Sequence, residues 1–335
     1  MNATCPWCNA PRGSGPTCPG CGANYAKAEA IKAHGRALPV APAPQPEACE
    51  DAPAGPDLEL GDIDGAKNDW QLVDDAELEW KFCVFAIPAS LLIALLVHAS
   101  GIGAMLQRMF LTMPVHELGH ASFAWLCGYS AIPTVWKTLV PDTRGFIAPI
   151  ALLAAFGYLG WRGWVGENRV IVGAACALVL LQLLFTFGLS LKTARMLVVF
   201  GGDGGGMILA TLLMGSFFFG KRTQLYKGSL RWGFVVIGAA AFVDMYATWV
   251  KGRRDYDAIP LGSQDGQDAD PLVLVQEYGW TLDGMIGRYF WLGLLCLAAL
   301  ACVYAWGVRR AAGEREARRI SEQLRERIAA RPARG

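Results

Sequence analysis

His116-Glu117-Leu118-Gly119-His120 lies inside an apolar run, 102–127, whose only other basic residue is Arg108. On a helix, an H-E-x-x-H pentapeptide sets its two histidines one turn apart on one face, where both can ligate one metal ion. The glutamate between them is then placed to handle the proton of a water on that ion. The chain has only four histidines, and two of them fall in this arrangement. Ionisable groups at membrane depth are costly enough to be functional by default, so interhelical hydrogen bonding is the weaker reading. The chemistry expected here is metal-assisted hydrolysis within or at the edge of a bilayer.

A catalytic zinc usually takes three protein ligands and keeps one position open, so a third donor is needed. His34 lies in the polar N-terminal region and His98 at the end of the first apolar run. The acids within apolar runs are Asp203 and Asp244. Asp203 sits in Gly201-Gly202-Asp203-Gly204-Gly205-Gly206. Its flanking glycines would let the backbone bend or let another helix approach closely. Asp203 is the favoured third ligand. Asp244 is the alternative, or else an acid that pairs with a neighbouring helix.

A second donor set stands apart from the first. Cys5-x-x-Cys8 and Cys18-x-x-Cys21 are two Cys-Pro-x-Cys turns separated by nine residues rich in Gly and Pro. Two such turns close a tetrahedral four-thiolate zinc site, and four thiolates leave no open position, so this zinc ribbon (1–34) is structural. With so few apolar residues, zinc must supply most of its folding energy. The other six cysteines, 49, 83, 127, 176, 296 and 302, show no pairing pattern, and most behave as small hydrophobes.

The elements that must carry these groups are membrane helices. Hydrophobic residues make up 53% of the chain and charged residues 18%, values of a polytopic membrane protein with a soluble fringe. The net charge of +1 hides strong segregation and says nothing of partners. A Pro/Ala-rich and then acidic linker (35–81) follows the ribbon. Apolar runs occur at 82–99, 102–127, 146–160, 170–189, 196–219, 232–250 and 289–308. No signal peptide is expected, since the first long apolar stretch begins only at Phe82.

The 220–231 loop is basic and the tail (309–335) carries nine arginines, whereas 251–288 holds seven acids against four bases. The positive-inside rule then favours cytoplasmic termini and six crossings, with 146–160 interfacial or re-entrant; a seventh would put the tail or the ribbon on the wrong side. The expectation is an all-α polytopic membrane protein of six transmembrane helices, seven if 146–160 also spans, preceded by a small four-cysteine zinc ribbon. The membrane domain spans 82–308.

H-E-L-G-H in one membrane helix, with an Asp-Gly pair two crossings later, resembles the site-2 protease family of intramembrane zinc metalloproteases. The resemblance covers about residues 100–220. It implies His116, His120 and Asp203 as ligands of a catalytic Zn2+, Glu117 as general base, and a membrane protein as substrate. The family's second motif usually has Asn and Pro upstream and reads Leu-Asp-Gly; here Gly-Gly-Asp-Gly-Gly stands in its place. No loop here is long enough for the PDZ domain of many members, and the ribbon would be the accessory domain, with a protein partner of its own.

Two other classes fit parts of the pattern. A membrane protease resembling the CAAX prenyl-protein endopeptidases would need a downstream glutamate ligand, for which Glu167 and Glu277 are the candidates. A non-catalytic membrane adaptor would use the ribbon for partner binding. The tail puts Ile320, Leu324 and Ile328 on one stripe among Glu and Arg, which suits anionic lipid or a partner. Residues 1–34 have few basic residues and supply no electrostatic footprint for nucleic acid.

Overall fold

The fold is that of a computed structural model and is described for residues 76–219, 229–264 and 267–329, with positions 4, 5, 9–11, 15, 17–21 and 25 of the first 34. Cys8, His34, Cys49 and most of the linker lie outside the described residues. The chain divides into two units, Met1–Asn68 and Asp69–Gly335.

In the first unit, Cys5, Cys18 and Cys21 gather with their sulfurs within 4.8 Å of one another. Cys5 Sγ and Cys21 Sγ are 3.9 Å apart, near the edge of roughly 3.8 Å that zinc–sulfur bonds of about 2.3 Å give a tetrahedron. The first turn is closed by Asn9 N–H donating to Cys5 O at 3.0 Å and Cys5 N–H donating to Ala10 O at 2.8 Å. Asn9 takes the left-handed conformation the turn needs, with φ 62°.

The second unit is helical. In order it comprises α1 (Ala76–Ala99), α2 (Gly101–Gln107), a π-helical turn (Arg108–Thr112), α3 (Met113–Leu126), and a small hairpin of β1 (Ile132–Pro133) and β2 (Thr138–Leu139). Next come α4 (Ile147–Val165), α5 (Arg169–Leu183) with a π turn at its end, α6 (Leu191–Gly215) and α7 (Leu230–Gly252). A second small hairpin, β3 (Ser263–Gln264) and β4 (Gln267–Asp268), precedes α8 (Asp270–Gln276) and α9 (Leu282–Ala329).

Among the described residues, five helices are long and apolar enough to cross a membrane: Glu77–Ala99, Arg169–Gly188, Leu191–Phe218, Leu230–Gly252 and Leu282–Ser321. They mark a membrane protein. The windows in α6 and α7 are 50% buried, whereas those in α1, α5 and α9 are 17–22% buried. The first two therefore form the centre, and the others turn side chains such as Leu92, Leu96, Leu180 and Leu295 outward.

The expected count of six differs in one place. The run 102–127 is not one continuous α-helix. Pro114 has no N–H to give, and Met113 N–H reaches back five residues to Arg108 O, which sets the π turn just before the histidine motif. The 146–160 run extends further than its apolar part, because Trp161-Arg162-Gly163-Trp164 continues α4 to Val165. At 19 residues α4 is about 28 Å long. It packs antiparallel on α5, with Gly163 against Ile171.

Two acids in the first turn of α1 are paired. Glu79 accepts from both terminal nitrogens of Arg231, at 2.8 and 2.9 Å, and Glu77 pairs with Arg315 of the tail. Arg231 is thus neutralised and contributes less to the charge of its loop than a free arginine. The tail continues α9 without a break through Ala329.

Candidate metal centre

The site is built where α3 crosses α6, the most extensive helix contact of the described residues. Glycine makes that contact possible. A Cβ on Gly119 would lie 2.6 Å from Gly206 N and nearer still to Gly201 O, both backbone atoms that cannot rotate aside. A Cβ on Gly202 would meet His116 Cε1 at 2.5 Å and His120 Nε2 at 2.6 Å. The glycine run does not break α6, which is helical from Leu191 to Gly215. It removes side chains so that backbone can lie against imidazole, as small residues do at tight membrane-helix interfaces.

Both histidines are held from behind. His116 Nδ1 is 2.9 Å from Asp203 Oδ1, and His120 Nδ1 is 2.7 Å from the carbonyl oxygen of Val198. Asp203 Oδ2 accepts from Trp249 Nε1 at 2.8 Å. Trp249 is locked in turn by Tyr289, whose ring stacks on it at 4.0 Å and on Phe200 at 4.7 Å. Each Nδ1 that donates to its oxygen leaves an Nε2 lone pair free to ligate.

Those two Nε2 atoms face each other at 3.1 Å. Asp270 Oδ2 lies 3.1 Å from His116 Nε2 and 3.0 Å from His120 Nε2. Three lone-pair donors converging on one point in a half-buried setting favour a cation there, whether protons or a metal. Ligand bonds of about 2.0–2.1 Å give a tetrahedral zinc site edges of roughly 3.3 Å, so the three donors fit a zinc with little adjustment. Two imidazoles and a carboxylate suit that metal.

Glu117 is buried and lines the same cavity as these donors. The Thr138 hydroxyl, on β2, is 2.8 Å from Glu117 Oε2 and 2.7 Å from the Glu117 carbonyl oxygen, and its one proton serves either. The β1–β2 hairpin therefore steers the motif's glutamate. A cavity of about 1060 Å³ opens onto the site, lined among others by Arg108, His116, Glu117, Thr138, Asp203 and Asp270.

Of the residues expected from the sequence, His116, Glu117, His120 and Asp203 come together. Asp203, however, sits on the Nδ1 edge of His116, away from the point where the Nε2 atoms meet. Asp244, itself buried, accepts from the half-exposed Arg108 Nη1 at 3.0 Å and faces His98 Nδ1 at 3.4 Å, outside the donor cluster. Glu277 lines the cavity, and Glu167 sits in the left-handed turn between α4 and α5 with φ 51°. Asp270, Trp249 and Thr138 were not anticipated. Asp270 is one of seven acids in 251–288, with nothing local to single it out.

Fold and site together define a membrane protein with a half-buried His/His/Asp donor cluster open to a cavity. No family model, no curated protein and no solved structure matches the chain significantly. The functional reading therefore rests on the site's own chemistry.

Proposed function

We propose that the chain is an intramembrane zinc metalloendopeptidase, hydrolysing a peptide bond in or near a transmembrane segment of a membrane protein. The carrying observation is the convergence of His116 Nε2 and His120 Nε2 at 3.1 Å beside Glu117, each imidazole tied through Nδ1 and both facing a cavity. Zinc bound between these donors would polarise a carbonyl and lower the pKa of a water from 15.7 toward about 7.

The protein's own groups do the rest. Glu117 accepts the proton of the attacking water and returns it to the leaving amine. Thr138 holds the glutamate's Oε2 in reach, and Asp203 and Val198 O keep the imidazoles in the ligating tautomer. A transmembrane substrate hides its peptide bonds in helical hydrogen bonds, so it must unwind locally to enter. The open cavity beside the site gives an unwound segment room. The arginine-rich tail and the ribbon are assigned to the cytoplasmic side, where the ribbon's zinc is structural.

The test is a comparison of new N-termini in membranes holding the wild-type protein or Glu117→Gln. Termini inside transmembrane segments that appear only with the wild type support the reading. Identical sets from the two, at equal expression and zinc content, would falsify it.

A further inference from the structure

We infer that Asp270, rather than Asp203, is the third protein ligand of the membrane metal, so that metal binding latches residues 267–281 against the cavity. This inference rests on the metalloprotease reading of the same site.

Both carboxylate oxygens of Asp203 are already engaged: Oδ1 by His116 Nδ1 and Oδ2 by Trp249 Nε1, in a buried pocket. The two nitrogens of an imidazole point away from each other. A carboxylate on Nδ1 therefore cannot also reach the point that Nε2 faces without giving up both of its partners. Asp203 is a positioning residue that acts through His116.

Asp270 has the complementary placement. Its Oδ2 is equidistant, to within 0.1 Å, from the two Nε2 atoms at 3.1 and 3.0 Å. It comes from the segment that connects α7 to α9, not from a membrane-spanning helix. The backbone there is braced: Ala269 N–H donates to Gly262 O at 2.8 Å across the base of the β3–β4 hairpin. Leu274 is fully buried in the helical core, and Trp280 N–H donates to Leu274 O at 3.1 Å. Pro260, Gly262, Ser263, Asp268 and Pro271 of the same segment line the cavity. A metal bound to Asp270 thus ties the cavity wall to α3, and losing the metal frees one end of that tie.

The experiment uses the full chain in bilayer discs, titrated with zinc against a chromophoric chelator, with His116→Ala identifying which zinc is the membrane one. Hydrogen exchange of 267–281 is followed with and without zinc. Asp270→Ala and Asp270→Asn should each weaken the membrane zinc more than ~100-fold and abolish zinc-dependent protection of 267–281. Asp203→Asn should weaken it by ~10–100-fold, the usual cost of losing a ligand's supporting hydrogen bond, while protection on saturating zinc persists. Wild-type affinity in both Asp270 variants, with zinc lost in Asp203→Asn, overturns the assignment and leaves the metalloprotease reading standing. A wild-type chain whose zinc content is unchanged by His116→Ala overturns both.

Discussion

The two donor clusters of this chain solve opposite problems. Among the described residues of the first unit, Cys5, Cys18 and Cys21 gather with few apolar neighbours, so a metal bound there would have to hold the turns together. In the membrane unit the helices hold the site. Glycine-lined contact between α3 and α6 fixes two imidazoles, a Trp249–Asp203 brace sets the tautomer of His116 and the Val198 carbonyl that of His120, and a cavity is left at the donors. A thiolate cage with all four positions filled, as the spacing of the four cysteines leads one to expect, would be structural. A mixed cluster with a glutamate and open space beside it can work on a substrate.

That contrast can be broken most sharply at Glu117. Glu117→Gln should lower cleavage by about 10²–10⁴-fold, the usual contribution of a general base, with zinc per chain unchanged in elemental analysis. Turnover close to wild type would remove the base assignment. Next in size is Gly202→Ala, whose methyl would collide with both imidazoles. Overpacking of this kind costs about 1–3 kcal/mol, or roughly 5–150-fold; it should appear as weakened membrane zinc in chelator competition, with the ribbon zinc untouched.

Trp249→Phe keeps the stack on Tyr289 but deletes the N–H that Asp203 Oδ2 accepts. Zinc affinity should fall roughly 10-fold, the low end for such a loss, while a thermal melt shifts little. The smallest effect is expected from Thr138→Val. It removes one hydrogen bond worth about 1 kcal/mol, so kcat should drop about fivefold at constant zinc affinity. An equal loss in zinc affinity would mean the hairpin supports the metal rather than the base.

The sequence displays the local half of this design. His116, Glu117 and His120 are legible because one helical turn brings them together, and Cys5, Cys18 and Cys21 because short turns do. Asp203 stands out by its glycines, and of the two uses they allow, bending or close approach, the structure shows close approach: α6 stays helical, and the missing side chains admit α3. What cannot be read locally is the closure by Asp270, 150 residues beyond His120 in a loop with six other acids. Nor does an apolar run reveal that Pro114 turns its helix into a π register, or that Arg231 is spent on Glu79. These depend on partners distant in the chain.

The most direct measurement is zinc per full chain by elemental analysis, for the wild type, Cys18→Ser, His116→Ala and the double variant. The account predicts two, one, one and none. One zinc in the wild type, lost in Cys18→Ser and indifferent to His116→Ala, would mean the imidazole pair holds no metal and would contradict it.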